Sequence, residues 1–219
     1  MTVSVLARDP ATGRLGGAAV TGNLCVGGWV LRGDSRTGIV AAQGEQPSTI
    51  WADEAFDLLH QGHEAQAVVD RIVSQDDGRA WRQLSVLGRS GAEGAFTGRA
   101  NRDWKGALAE RDLVIAGNIL AGPEVLEAAR HGFRDASGPM EDRLMAALRA
   151  AETSGGDSRG HLSAALLIVC DTEPPLSLRI DWDEAPLEAL ARLLERARRP
   201  DYVRWVAGLP VRTDPERHA

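Results

Sequence analysis

The sequence lacks the features that would tie it to a membrane, a nucleic acid or an oxidising compartment. No apolar run approaches the roughly 20 residues needed to span a bilayer; the longest candidates are Ala164–Cys170 and Leu113–Ala116. Membrane insertion is excluded on that ground. The opening Met-Thr-Val-Ser-Val-Leu-Ala-Arg-Asp-Pro has no basic start followed by an apolar stretch of secretory length, so a cytoplasmic location is expected. Positive charge is also short. Lys plus Arg number 25 against 31 Asp plus Glu, a net charge of −6, which lacks the electropositive footprint of nucleic-acid binding. The two cysteines, Cys25 and Cys170, lie far apart outside any Cys-x-x-Cys pair and predict neither a disulfide framework nor a zinc knuckle.

With 219 residues, 43% of them hydrophobic, the chain can bury a sizeable core without such staples. No linker-like shift or internal repeat divides it, so one domain is expected over residues 1–210, with a frayed tail over 211–219. The Gly- and Ala-rich first quarter reads as four short strands, Val3–Arg8, Leu15–Thr21, Val26–Leu31 and Thr37–Gln43, between turn-forming clusters. Apolar spacing then turns helical, first over Ile50–Leu59 and again over Ala65–Val73. Strands follow at Trp81–Leu87, Gly94–Thr97 and Asp112–Ala116, the polar Gly98–Glu110 between the last two reading as a loop. Helices are predicted at Pro123–Arg130 and Pro139–Ala151, strands at Leu162–Cys170 and Leu176–Trp182, and a last helix, or two, from Pro186–Ala197 onward. Strand runs alternating with helix pairs predict an α+β domain of stacked layers with hairpin-built sheets.

Chemistry concentrates at four places. Thr2 follows the initiator methionine, which is usually removed before so small a residue. The freed threonine would carry a base and a hydroxyl on one carbon, because an α-amine titrates near pH ~8. Gly117-Asn118-Ile119-Leu120-Ala121-Gly122-Pro123 leads from a strand into a helix and can aim the Asn118 amide and backbone N–H groups, including that of Gly117, into a pocket. An Asn chosen for local turn bonds is the bland alternative. Ser154-Gly155-Gly156-Asp157-Ser158-Arg159-Gly160-His161-Leu162-Ser163 gathers an acid, a base and hydroxyls ahead of an apolar strand, although Asp157 and Arg159 are equally readable as a surface ion pair. Ala41–Ser48 contains Gln43 and Gly44 between a strand and a helix, where Ser48 fits an N-cap.

The start Thr2–Gly16, the Gly117–Pro123 segment, and Gly155–Gly160 with Ser163-Ala164-Ala165-Leu166-Leu167 resemble, in order and spacing, the bacterial family called domain of unknown function 1028. That resemblance implies the fold of the N-terminal nucleophile (Ntn) hydrolase-like group, a four-layer αββα sandwich of two antiparallel sheets between helical layers. It also implies that Thr2 is the nucleophile and that an amide or related acyl compound is the substrate. Where many members carry a Ser-Lys pair and then Val-Pro-Trp-Ala, this chain has Gly22-Asn23-Leu24-Cys25 and Gly28-Trp29-Val30-Leu31-Arg32, so a lysine near the terminal amine is missing.

The expected catalytic set is Thr2, Asn118 and Asp157. Gln43, Gly44, Gly117, Arg159, Ser163 and Cys25 are expected to line the substrate, with no metal and no cofactor. Arg159 suits a carboxylate, so a small, amino-acid-derived amide is the expected partner, beside a homodimer or larger homo-oligomer. Ser4, Thr21 and Cys25 are the alternative nucleophiles, Cys25 with no neighbouring base. A non-catalytic binding or assembly protein on the same fold is the competing reading, with Trp29, Trp51, Trp104 and Trp205 as candidate exposed anchors. A metal enzyme would have to draw on His60-x-x-His63, but Gly62 predicts a helix end between the two. His131 and His161 lack a visible acid partner and read as structural.

Overall fold

The computed structural model describes residues 2–155 and 160–218. Ten strands form two antiparallel sheets among these residues, with seven helices, giving a mixed α+β protein. Strands β1 (Thr2–Arg8) and β2 (Leu15–Thr21) are a hairpin closed by Asp9, whose carboxylate accepts from Ala11 N at 2.9 Å and from the Thr12 hydroxyl at 2.6 Å. These turn bonds, Thr12 first, also hold the Asp9 carboxyl below its usual pKa. β1 is central to a six-stranded sheet, ordered β10-β9-β2-β1-β8-β7, with β7 Gly106–Glu110, β8 Leu113–Asn118, β9 Ser163–Val169 and β10 Leu176–Ile180. The second sheet is ordered β3-β4-β5-β6, from Leu31–Asp34, Gly38–Gly44, Arg82–Gly88 and Glu93–Thr97.

Period-two alternation sorts each strand's side chains between two cores. Val3, Val5 and Ala7 of β1, with Ala18 and Val20 of β2, pack in one cluster with α4 (Glu124–Asp135), α5 (Met140–Thr153) and α6 (Pro186–Ala197). Leu6, Leu15, Ala19, Ile39, Ala41, Leu87 and Val114 meet between the sheets. Val40, Ala42, Leu84 and Val86 face away from that layer, onto α2 (Trp51–His60) and α3 (Ala65–Ser74). α5 packs close over Gly16, where a Cβ would make the tips of the Met140 and Leu144 side chains shift.

Two segments differ from expectation. Val26–Leu31 is not one strand: Val26–Trp29 makes a single helical turn, α1, and β3 begins at Leu31. Gly27-Gly28 offer no side chains to a sheet, and Cys25, at φ 60°, redirects the chain so that its carbonyl accepts from Gly28 and Trp29. Within the expected loop Gly98–Glu110 the chain forms edge strand β7, whose small side chains give little periodic signal but whose backbone pairs with β8 from Gly106 to Glu110. A second C-terminal helix, α7 (Pro200–Ala207), buries none of its residues. After it, Val211 bridges Asp214, and Thr213 N donates to Asp171 O at 3.3 Å. No helix among the described residues is long and apolar enough to cross a membrane.

Candidate active site

Thr2 lies opposite Thr21 on one side and Asn118 on the other, in the middle of the larger sheet. As an even-numbered residue of β1 it shares the Leu6 face and points between the sheets. It is 9% exposed, and its Oγ1 sits 3.0 Å from Thr21 Oγ1. Two residues on, Ser4 Oγ is buried with no hydrogen-bond partner among the described residues.

The opposing sheet supplies two amides. Gln83 of β5 is fully buried; its Oε1 accepts from Asn118 Nδ2 at 2.7 Å and from Gln43 Nε2 at 3.1 Å. Its Nε2 donates to Gly117 O (2.9 Å), Thr97 Oγ1 (3.0 Å) and Gly106 O (3.3 Å). So fully bonded an amide is held in one orientation and fixes Asn118 in turn, leaving that amide a second N–H to donate. Gln43 Oε1, by contrast, is a buried acceptor without a donor among the described residues, an arrangement that calls for a further donor such as an ordered water or a ligand. Directly after Asn118, Ile119 holds φ 57°, a left-handed conformation that a β-branched residue rarely adopts. Its N–H donates to Arg102 O.

Gly44 closes β4 at φ 133°, where a Cβ would strike Trp81 O and Asn101 Oδ1. The next N–H, of Glu45, is already given to Asn101 Oδ1 at 2.8 Å, and the Glu45 carboxylate pairs with Arg102 at 2.8 Å. That Glu45 N–H is therefore already spent on Asn101 and is not available to an oxyanion. Ser163, opposite Thr21 in the ladder, is fully buried and bonded both ways: it donates to Asn23 O (2.7 Å) and accepts from Val26 N (3.0 Å). It shapes the turn after β2. Cys25 lies on that turn, partly exposed, its N–H on Asp181 O. Thr2, Asn118, Gly117 and Gln43 thus come together, Ser163 and Gly44 brace the surroundings, and Cys25 stands further out. Asp157 and Arg159 lie outside the described residues.

Sequence reading missed Gln83. The signal is present in Gln83-Leu84-Ser85-Val86, where polar side chains alternate with aliphatic ones that bury against α2 and α3. His161 has an acid partner after all: its Nδ1 is 2.8 Å from Glu152 Oε1, a residue of α5 that no local pattern could connect to it. Trp51 is buried, not exposed; Trp29 and Trp205 are exposed, while Trp104 packs against the helix-side core. His60 ends α2 with its ring on Phe56 O and Asp34, and His63 lies beyond Gly62. No three His, Cys, Asp or Glu side chains converge among the described residues.

The family described as DUF1028, of unknown function, matches residues 2–190. The chain belongs to that family. A DUF1028 crystal structure, of protein SPO2555 from Silicibacter pomeroyi, is 44% identical, covers 99% of this chain and 98% of its own, and superimposes with a TM-score of 0.95. A distant likeness is to Anbu, the ancestral β-subunit from Yersinia bercovieri, at 12% identity and a TM-score of 0.41, covering 95% of this chain and 98% of that one. No curated protein matches the chain.

Proposed function

We propose that this DUF1028 protein is an N-terminal-nucleophile amide hydrolase, its sheets and helices stacked as the αββα sandwich of that group. Removal of Met1 would expose the Thr2 amine beside its own hydroxyl. In the reaction, Thr2 Oγ attacks the substrate carbonyl while the amine takes the hydroxyl proton, directly or through a water. The free N–H of Asn118 stabilises the oxyanion, and the protonated amine delivers its proton to the leaving nitrogen as the C–N bond breaks. Water, deprotonated by the same amine, then cleaves the Thr2 ester and restores the hydroxyl. The observation carrying this reading is the placement of Thr2: buried at a central strand end, 3.0 Å from the Thr21 hydroxyl, and cross-strand from an asparagine whose amide is immobilised by Gln83.

The test is intact mass before and after exposure to an acyl-transferring electrophile such as a β-lactone. A chain beginning at Thr2, acquiring one adduct that maps to Thr2, is the expected result. Retention of Met1 in active protein, or acylation at another residue, overturns the Thr2 mechanism; no acylation at any residue leaves a binding or assembly protein.

A further inference from the structure

A cleft of about 360 Å³ opens between α1, the start of β3, the Ser48–Thr49 turn and β10. Two guanidinium groups converge at one residue in its wall, Gly28. Arg32 Nη2 donates to Gly28 O at 2.7 Å and its Nη1 to Leu31 O at 2.8 Å. Arg179 reaches the same glycine from β10, its Nη2 lying 2.9 Å from where a Cβ would stand. Any side chain at position 28 would displace it.

The two arginines are differently committed. Arg179 shares its charge with Asp181 at 2.9 Å. Arg32 forms no ion pair among the described residues, and its two bonds go to backbone carbonyls, which fix the head while leaving most of its five donors unspent. A planar cation held in place with free donors in a cleft is suited to gripping a carboxylate in a fork. Asp53, in the first turn of α2, and the exposed Trp29 also line the cleft. Asp53 disfavours a dianion such as phosphate but accepts from an amine or amide N–H, and the Trp29 ring offers a flat apolar surface.

We infer that this cleft binds the free carboxylate of a small amino-acid-derived ligand, with Arg32 as its principal anchor and Arg179 beside it. Only the further step, that the ligand is the substrate, rests on the Thr2 reading. The two places are close along the chain: Thr21, against Thr2, is four residues from Cys25 in the cleft wall, at most about 14 Å of extended chain, and Ala42 of the wall is the neighbour of Gln43, on the opposite face of β4.

The probe is N-benzoylglycine, compared with its uncharged carboxamide by titration calorimetry, on the wild-type protein and on Thr2→Ala, Arg32→Gln and Arg179→Gln. The acid is expected to bind at least about tenfold more tightly than the carboxamide. Thr2→Ala should keep that preference, Arg32→Gln should erase it, and Arg179→Gln should reduce it. Equal affinity for acid and carboxamide, survival of the preference in Arg32→Gln, or no binding of the acid at about 10 mM would overturn the inference. Should Arg32→Gln fail to fold, loss of the preference at high salt with Arg179→Gln decides the matter. A charge-dependent site in a protein that never acylates at Thr2 would sink the hydrolase while leaving the cleft assignment standing.

Discussion

The two ends of the layer between the sheets are built from the same strand faces and have opposite chemistry. At one end Leu6, Leu15, Ile39, Leu87, Val114 and Val169 interdigitate; at the other, along the same faces, stand Thr2, Thr21, Gln43, Gln83, Asn118 and Ser163. The transition runs through small residues: Ser4 on β1, Ala19 on β2, Ala41 on β4, Ser85 on β5, Ala116 on β8 and Ala165 on β9. Each strand thus tapers from aliphatic to polar in the same direction. The aliphatic end contributes burial energy, whereas the polar end removes amides and hydroxyls from water and regains that cost only where hydrogen bonds form. Gln83 shows the compensation completed, and Ser4 Oγ and Gln43 Oε1 show it left open. On the proposed hydrolase reading, the polar end serves chemistry and the aliphatic end stability.

The sharpest way to break that comparison is to exchange consequences between its ends. Thr2→Ala removes the proposed nucleophile and should lower amide hydrolysis by about a thousandfold or more, while the melting transition moves little, since one hydroxyl–hydroxyl contact is lost. Leu87→Ala, at a fully buried position of the aliphatic end, should cost about 2–5 kcal/mol of stability in denaturant unfolding, yet keep activity per folded molecule. A stable, inactive Leu87→Ala or a strongly destabilised Thr2→Ala would show that the two ends are not separable.

Gln83→Leu lies between these extremes because it touches both accounts of the polar end. It strands the Asn118 and Gln43 amides and the Gly117 carbonyl, at a cost of roughly 2–4 kcal/mol, given about 1–3 for each buried group left unpaired and some relaxation. Freed from its fixed acceptor, Asn118 should also stabilise the oxyanion less well, for about a tenfold loss in kcat with KM changing less. Full kcat in the folded variant would remove Asn118 from the mechanism.

Much of this organisation was legible because it is local. Helix α6 reads directly from Pro186 at its first turn and the spacing of Leu187, Leu190 and Leu194, and the β1–β2 hairpin from Asp9-Pro10-Ala11-Thr12-Gly13 between apolar runs. What was not legible depends on pairing across the chain. β7 exists because β8 offers it an edge, and Glu152 meets His161 only once α5 has packed. The same holds at the candidate site: Thr2 stands out as the residue after the initiator methionine and Asn118 as part of a strand-to-helix segment, whereas the β1–β8 pairing that sets them side by side and the Gln83 amide that fixes Asn118 come from distant parts of the chain, Gln83 from an otherwise ordinary strand. Alternation could have raised its profile, but only if the face opposite Leu84 and Val86 was known to be interior.

The smallest effect belongs to the turn beyond the aliphatic end, where β3 passes into β4. Asp34 there is held at a pKa of about 2, first by the Arg36 side-chain hydrogen bonds, against the opposing pull of burial, with the nearby His60 adding a weaker attraction. Because this folded-state value lies below that of an unfolded aspartate, near 3.9, the ionised group contributes stability that is complete above about pH 4 and is lost as pH falls toward 2. Asp171, lowered by its bond from Ser35 and by Arg89, titrates in the same direction at the same end and shares the slope. Melting temperature measured from pH 5 to pH 2 should therefore fall less steeply in Asp34→Asn than in the wild type, with the two curves converging at the acid limit. Since Arg36 is half exposed, the gap at neutral pH should be small, and salt should narrow it. Activity per folded molecule should be the same in both proteins, because this turn lies at the opposite end of the layer from Thr2; an altered kcat in Asp34→Asn would mean that the aliphatic end reaches the site after all.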